Sequence, residues 1–163
     1  MPVFISYRHT DRIQAMAINV RLIQANIKTY FDVLDVESQT TDDITSVITR
    51  RITESTHLIA VVSGQTAQSW WVPFEIGEAT ISNRRICSYK SNVSELPEYL
   101  DKWPQMTKPA DLELFIQSYK SESTAKRSMG LESFEGSESM RKTNMTNAEL
   151  FHAELKAKIR RGY

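Results

Sequence analysis

The chain has 163 residues, with 20 basic and 20 acidic side chains and a formal net charge of zero. That length suits one domain with a proper core, and the charge balance argues against a dedicated nucleic-acid binder, which shows a basic excess or stripe. A lone cysteine, Cys87, excludes an internal disulfide and suits a reducing compartment.

No apolar run approaches the ~20 residues that span a bilayer. Met1-Pro2 leads directly into a strand pattern without a leader signature. The expectation is a cytoplasmic protein that engages no membrane. His9, His57 and His152 are the only histidines and form no ligand-spaced set, so no metal is expected.

Strand and helix patterns then alternate along the chain. Val3 to Ser6 is a short apolar strand. Residues 12–26 carry Ile13, Met16, Ala17, Val20 and Ile23 on one helical stripe, expected to face the core. Lys28 to Val33 is rich in β-formers, and residues 34–41 form a polar loop without glycine or proline. Ile44, Val47, Ile48 and Ile52 mark a second amphipathic helix. Leu58 to Val62 is apolar on both faces, as a central parallel strand requires. A helix carrying Glu75 follows, then a strand near Arg85 to Tyr89, in which Cys87 reads as a packed side chain.

This alternation predicts an α/β fold of the flavodoxin-like class, a parallel sheet with helices on both faces. Beyond residue 90 the pattern loosens. Pro104 and Pro109 break the chain, no further strand is evident between 100 and 110, and Leu112, Phe115 and Ile116 suggest a last helix over Asp111 to Tyr119. Residues 121–145, rich in serine and charge, read as a flexible linker or arm. Thr146-Asn147-Ala148-Glu149 resembles a capping box opening a C-terminal amphipathic helix. Its stripe would be Phe151, Leu155 and Ile159, with a Glu154–Lys158 pair on the polar side. The division is thus 1–120 for the domain, 121–145 for the linker and 146–163 for the helix.

The chemistry concentrates after the central strand, at Ser69-Trp70-Trp71-Val72-Pro73-Phe74-Glu75-Ile76. Open α/β sheets bind ligands outside the C-terminal ends of their strands. A flat ring for stacking and one carboxylate there can hold a nucleotide and stabilise a developing sugar cation. Pro73 is best tolerated in a first helical turn, which would set Glu75 near a helix N-terminus, where the dipole favours the ionised acid. The plainer alternative makes Glu75 a first-turn acid complementing its helix. Glu78 reads as solvated.

Adjacent tryptophans should point in different directions, one into the core and one, Trp71, into the cleft; both can equally be packing residues. Ser6, Tyr7 and Arg8 leave the first strand at the same sheet edge. Arg8 suits a phosphate or an ion pair with Asp11, and Tyr7 can stack or pack. Asp32 can reach the cleft or open a turn, and His9 is expected to be exposed. A glycine-rich phosphate loop is absent, which disfavours conventional dinucleotide redox and P-loop chemistry.

Two of these segments carry a family resemblance. Val3-Phe4-Ile5-Ser6-Tyr7-Arg8-His9-Thr10-Asp11 resembles the first box of Toll/interleukin-1 receptor (TIR) domains, a Phe-x-Ser-Tyr run followed by an acid. The stretch from Ser63 to Glu75 resembles that family's third-strand exit and its Trp-x-x-x-Glu helix, here Trp71 and Glu75. The resemblance is good over residues 1 to about 90, weaker to 120 and absent beyond. It implies a bacterial-type NAD+ glycohydrolase or cyclase, like the sensors of Thoeris antiphage systems.

In that reading Glu75 is catalytic, and Ser6, Tyr7, Arg8, Asp32 and Trp71 bind NAD+ as substrate, with no further cofactor. Copies of the domain would associate through TIR–TIR contacts, and the nucleotide product would reach a separate effector. An adaptor working only through homotypic contacts is the alternative, and another nucleoside N-glycosyl-transferring enzyme is a third. The 34–41 loop lacks the glycine and proline many relatives carry there, which leaves loop-mediated assembly and gating open.

Overall fold

The computed structural model describes residues 1–31, 43–64, 69–91, 96–128 and 138–163. Five strands form one parallel sheet in the order β2-β1-β3-β4-β5: β1 (Val3–Ser6), β2 (Thr29–Tyr30), β3 (His57–Val62), β4 (Arg85–Lys90) and β5 (Gln105–Met106). This is the flavodoxin-like order, whose topological switch lies between β1 and β3. The helices are α1 (Arg12–Gln24), α2 (Ile44–Glu54), α3 (Trp71–Ile81), α4 (Pro109–Ser128) and α5 (Glu138–Arg161).

Strand alternation sorts the side chains into two cores. Val3, Ile5, Ile59, Val61, Cys87 and Tyr89 pack under α1, α4 and α5. Phe4, Leu58, Ala60, Val62 and Ile86 pack under α2 and α3. Both α1 and α3 stop through an asparagine in the left-handed region, Asn26 at φ 61° and Asn83 at φ 52°. In each case the asparagine amide and the one after it close on the last turn: Asn26 N donates to Ile23 O at 2.9 Å and Ile27 N to Leu22 O at 3.0 Å, while Asn83 N donates to Thr80 O at 3.1 Å and Arg84 N to Ala79 O at 2.9 Å. These are Schellman ends, which turn the chain straight into β2 and β4.

Several expectations need correction. The α1 stripe faces outward: Ala15, Ile18 and Leu22 are buried, while Ile13, Met16 and Val20 are exposed. The helix is apolar on both sides, so periodicity alone could not say which side meets the sheet. A fifth strand does exist, at Gln105–Met106, two residues long, too short for a pattern to betray. The expected strand at 28–33 is seen at Thr29–Tyr30, and its last residues, with the 34–41 loop, lie outside the described residues.

The region read as a linker is helical at both ends, since α4 runs to Ser128 and α5 begins at Glu138. Thr146 is interior to α5, its hydroxyl donating to Lys142 O at 3.0 Å, and opens nothing. The hidden signal in α4 is ionic. Glu122 pairs with the buried Arg85 guanidinium, with His57 Nε2 at 3.3 Å and with Lys126 Nζ at 3.6 Å. No apolar period records such a contact. Phe151 and Leu155 of the expected α5 stripe join the first core, Ile159 packs at its margin, and Glu154 pairs with Lys158 at 2.7 Å.

His152 supplies something unexpected. Its Nε2 accepts the Ile86 amide at 2.8 Å, on the stretch of β4 that precedes the pairing with β5 at Ser88. The helix thereby substitutes for a missing strand partner. Among the described residues, no helix is long and apolar enough to cross a membrane.

Candidate active site

Ser6 ends β1, and its hydroxyl donates to the Glu75 carboxylate. That contact lies at the C-terminal edge of the sheet, at the β1/β3 switch. Glu75 stands in the second turn of α3, which has no acid in its first turn. It is 4% exposed, and Ser6 is its one hydrogen-bond partner among the described residues. The plain role of a first-turn acid is therefore excluded.

So is the expectation that the helix dipole keeps the free carboxyl ionised. Burial pushes Glu75 up to about 8, against the smaller downward pull of the Ser6 hydrogen bond. The dipole acts over the first turn and is worth about 1 kcal/mol or less at an exposed site. Removal from water costs a charged group far more.

The loops at this edge are fastened to one another. After Ser6 the chain passes through Tyr7 and Arg8 into a 3-10 turn, His9–Asp11. The Asp11 carboxylate accepts from Ser63 Oγ at 3.0 Å, and both residues are buried. Ser63 immediately follows β3, so this bond ties the exits of the two strands that flank the switch. Tyr7 stacks on Phe31 at 5.2 Å between centroids, and the Arg12 guanidinium lies 5.8 Å from the same ring.

The tryptophans do not diverge as expected. Trp70 precedes the first turn of α3, and its ring stacks on Trp71 at 4.2 Å and 20°. Trp70 is 69% exposed, whereas Trp71 is half-buried, edge-on to Phe74 at 5.7 Å, and packs against the second core. Trp71 and Glu75, one turn apart, share a helix face.

Of the residues singled out from sequence, Ser6 and Glu75 are joined directly. Tyr7 and Arg8 follow Ser6 on the same edge, and Trp71 precedes Glu75 by one turn. Asp32 lies outside the described residues. Glu78 is half-buried rather than solvated, and His9 is exposed. Sequence reasoning missed Ser63 and the positioning role of Asp11, although a serine closing an apolar strand and the acid after Ser6-Tyr7 were both visible. A buried carboxyl hydrogen-bonded by a serine at the switch-point edge of the sheet can hold charge against a sugar cation as a glycosidic bond breaks.

Comparison with known proteins agrees with this architecture. The family model described as TIR domain matches residues 3–113, leaving most of α4 and all of α5 outside the match. No curated protein matches. Among solved structures, the TIR domain of the Toll-related receptor TRR-2 from the lower metazoan Hydra magnipapillata is similar in fold, with a TM-score of 0.56 and 20% identity. That likeness covers 64% of this chain and 81% of the receptor domain. With the family model spanning β1 to the start of α4, the chain belongs to the TIR domain family.

Proposed function

We propose that this TIR domain is an NAD+ glycohydrolase in which Glu75 stabilises the ribosyl cation as the nicotinamide–ribose bond breaks. The observation that carries the reading is the buried Glu75 carboxyl held by Ser6 at the β1/β3 switch. In the reaction the C1′–N electron pair leaves with the ring, so nicotinamide departs neutral and needs no proton. The ribose is left as an oxocarbenium ion, which a fixed carboxylate stabilises. Water attacking C1′ and releasing a proton to solvent gives ADP-ribose. A nucleophile elsewhere in the same molecule gives a cyclic isomer and the same proton.

With its pKa near 8, Glu75 is mostly neutral in the free site at pH 7. The positive nicotinamide ring and the ribosyl cation that forms beside the carboxyl favour its ionised form, so charge is developed where and when the sugar needs it. In this reading Trp71 and Tyr7 form aromatic walls and Arg8 binds a phosphate. Asp32 remains a candidate on its sequence position alone. In the same reading the protein works in the cytoplasm without a further cofactor, assembles through TIR–TIR contacts, and signals through its nucleotide product to a separate effector, as in Thoeris-like antiphage defence.

The test is incubation of concentrated protein with NAD+ and chromatographic resolution of the products, with Glu75→Gln alongside. Nicotinamide release by the wild type, reduced in the variant by a factor on the order of a hundred or more, is expected, and the second product separates hydrolase from cyclase. Release that survives the substitution would remove Glu75 from the mechanism. Silence from both at concentrations that force assembly would overturn the enzyme reading in favour of an adaptor. The exposed apolar face of α1 is the feature that favours that second reading.

A further inference from the structure

The last two helices lie against each other, and between them opens a cavity of about 300 Å³. Ser118, Glu122 and Lys126 line it from α4, and Asn147, Leu150 and Phe151 from α5. All six lie beyond residue 113, where the match to the TIR family model ends. The floor sits at the opposite edge of the sheet from Ser6 and Glu75, because Glu122 reaches His57 and Arg85, the first residues of β3 and β4. Phe151 is buried, whereas Leu150 is 62% exposed, so the apolar side of the cavity reaches solvent.

Charge is not balanced on this floor. Two cations, the Arg85 guanidinium and the Lys126 ammonium, face the single carboxylate of Glu122. His57 is neutral, since burial lowers it to about 4. At the rim of the cavity Glu154 is matched by Lys158 at 2.7 Å, so its charge is already answered. Burial lowers the Lys126 pKa and the charge of Arg85 adds to the effect, against the upward pull of Glu122. Asn147, half-buried on the facing helix, has no hydrogen-bond partner among the described residues.

We propose that this cavity binds a small organic monoanion with an apolar body, of which a medium-chain carboxylate is the simplest case. Its head takes the charge of Lys126 and the Asn147 amide, and its chain runs over Leu150 and Phe151. The charge count selects the class. One negative charge balances the one in excess on the floor, whereas a multiply charged phosphate would crowd anions beside Glu122. A cationic ligand would compete with Arg85 and Lys126 for a carboxylate that already serves both. A wholly apolar ligand would take water from Lys126 and return no partner. The cavity is at the small end of the roughly 300–1,000 Å³ of ligand pockets, which suits a short chain better than a nucleotide. Because its two walls belong to different helices, an occupant bridges them and holds α5 against the domain. The proposal stands whether or not Glu75 cleaves NAD+.

Octanoate is the probe, titrated into the full chain by calorimetry with amide NMR spectra recorded alongside. One saturable site is expected, with shifts gathered at Ser118, Lys126, Asn147 and Phe151 rather than at Ser6 and Tyr7, and with a raised melting temperature. Lys126→Gln removes the charge that meets the head. Leu150→Asp, at an exposed position that leaves the fold intact, removes apolar surface and adds a repelling charge. Each should weaken binding by about tenfold or more, and octylamine, the same chain with the opposite charge, should bind more weakly by a similar factor. If Lys126→Gln does not fold, Leu150→Asp decides. No saturation into the millimolar range, octylamine bound as tightly as octanoate, or an affinity unchanged in either folded variant would each overturn the proposal. So would shifts centred on Ser6 and Tyr7, which would give the anion to the other edge of the sheet.

Discussion

At the scale of single residues, Glu75 sets stability against activity. Its folded-state pKa, near 8, is raised above the 4.5 of an ordinary glutamate. The stability associated with the neutral form is full below pH 4.5 and is lost as pH rises towards 8. Each unit corresponds to about 1.4 kcal/mol. Glu75→Gln keeps the shape without the ionisation, so its melting temperature should exceed the wild type's by a margin that widens from pH 5 to pH 8, measured by calorimetry. Rate should run the other way: nicotinamide release, if governed by ionised Glu75, climbs with pH along an acid limb ending near 8. Ser6 holds that limb down, since its hydrogen bond lowers the Glu75 pKa. Ser6→Ala should move the limb of kcat/KM to higher pH, losing severalfold at pH 7 and recovering near pH 9. A uniform loss at every pH would mean Ser6 acts only in packing or binding.

At the scale of elements, α5 is part of the first core. Leu155 is fully buried and Phe151 nearly so, and Lys156 Nζ donates to the carbonyls of Asp101 at 2.9 Å and Lys102 at 2.8 Å. Leu155→Ala should therefore cost about 2–5 kcal/mol by urea unfolding, where an independent tail helix would register almost nothing. His152 adds an anchor of a different kind, as the acceptor for the Ile86 amide. Replacing it by alanine leaves a main-chain donor unpaired, at about 1–3 kcal/mol, and His152→Gln, which offers an acceptor oxygen, should recover part of that.

For the whole molecule, acid is the expected weakness. Burial lowers His57 to about 4, against the upward pull of Glu122, and burial lowers His152 to about 4 with Arg85 and Lys156 adding to the effect. Both histidines are neutral when folded, so the unfolded chain binds more protons between pH 6.5 and 4. The histidines' contribution is full above 6.5 and falls across that window, partly offset down to pH 4.5 by the gain from protonating Glu75. Glu122, held at about 2 despite its burial, by His57 and by the charges of Arg85 and Lys126, extends the loss below pH 4.5. In the Glu75→Gln background, which removes the opposing contribution, denaturant midpoints should drop from pH 6.5 to 4, and His152→Gln should flatten part of the slope. A midpoint independent of pH across that range would contradict the neutral buried histidines.

The alternation of apolar strands with helical periods, the box around Ser6 and the Trp71–Glu75 spacing are local properties. Sequence by itself therefore determined the parallel α/β class and set Ser6 and Glu75 at the same edge of the sheet, whereas the burial of Glu75 and its contact with Ser6 came from the tertiary structure. Tertiary structure decided everything that depends on which surfaces meet. It selected the inner face of α1 where both sides are apolar. It recruited a serine-rich stretch into α4 through Glu122, Arg85 and His57, three polar residues far apart in the chain. It also allowed β5 only two residues because β4 is there to pair with them. The protonation of Glu75 belongs to the same class: the helix dipole is local and legible, whereas desolvation is set by every element that closes over the carboxyl, and here desolvation wins.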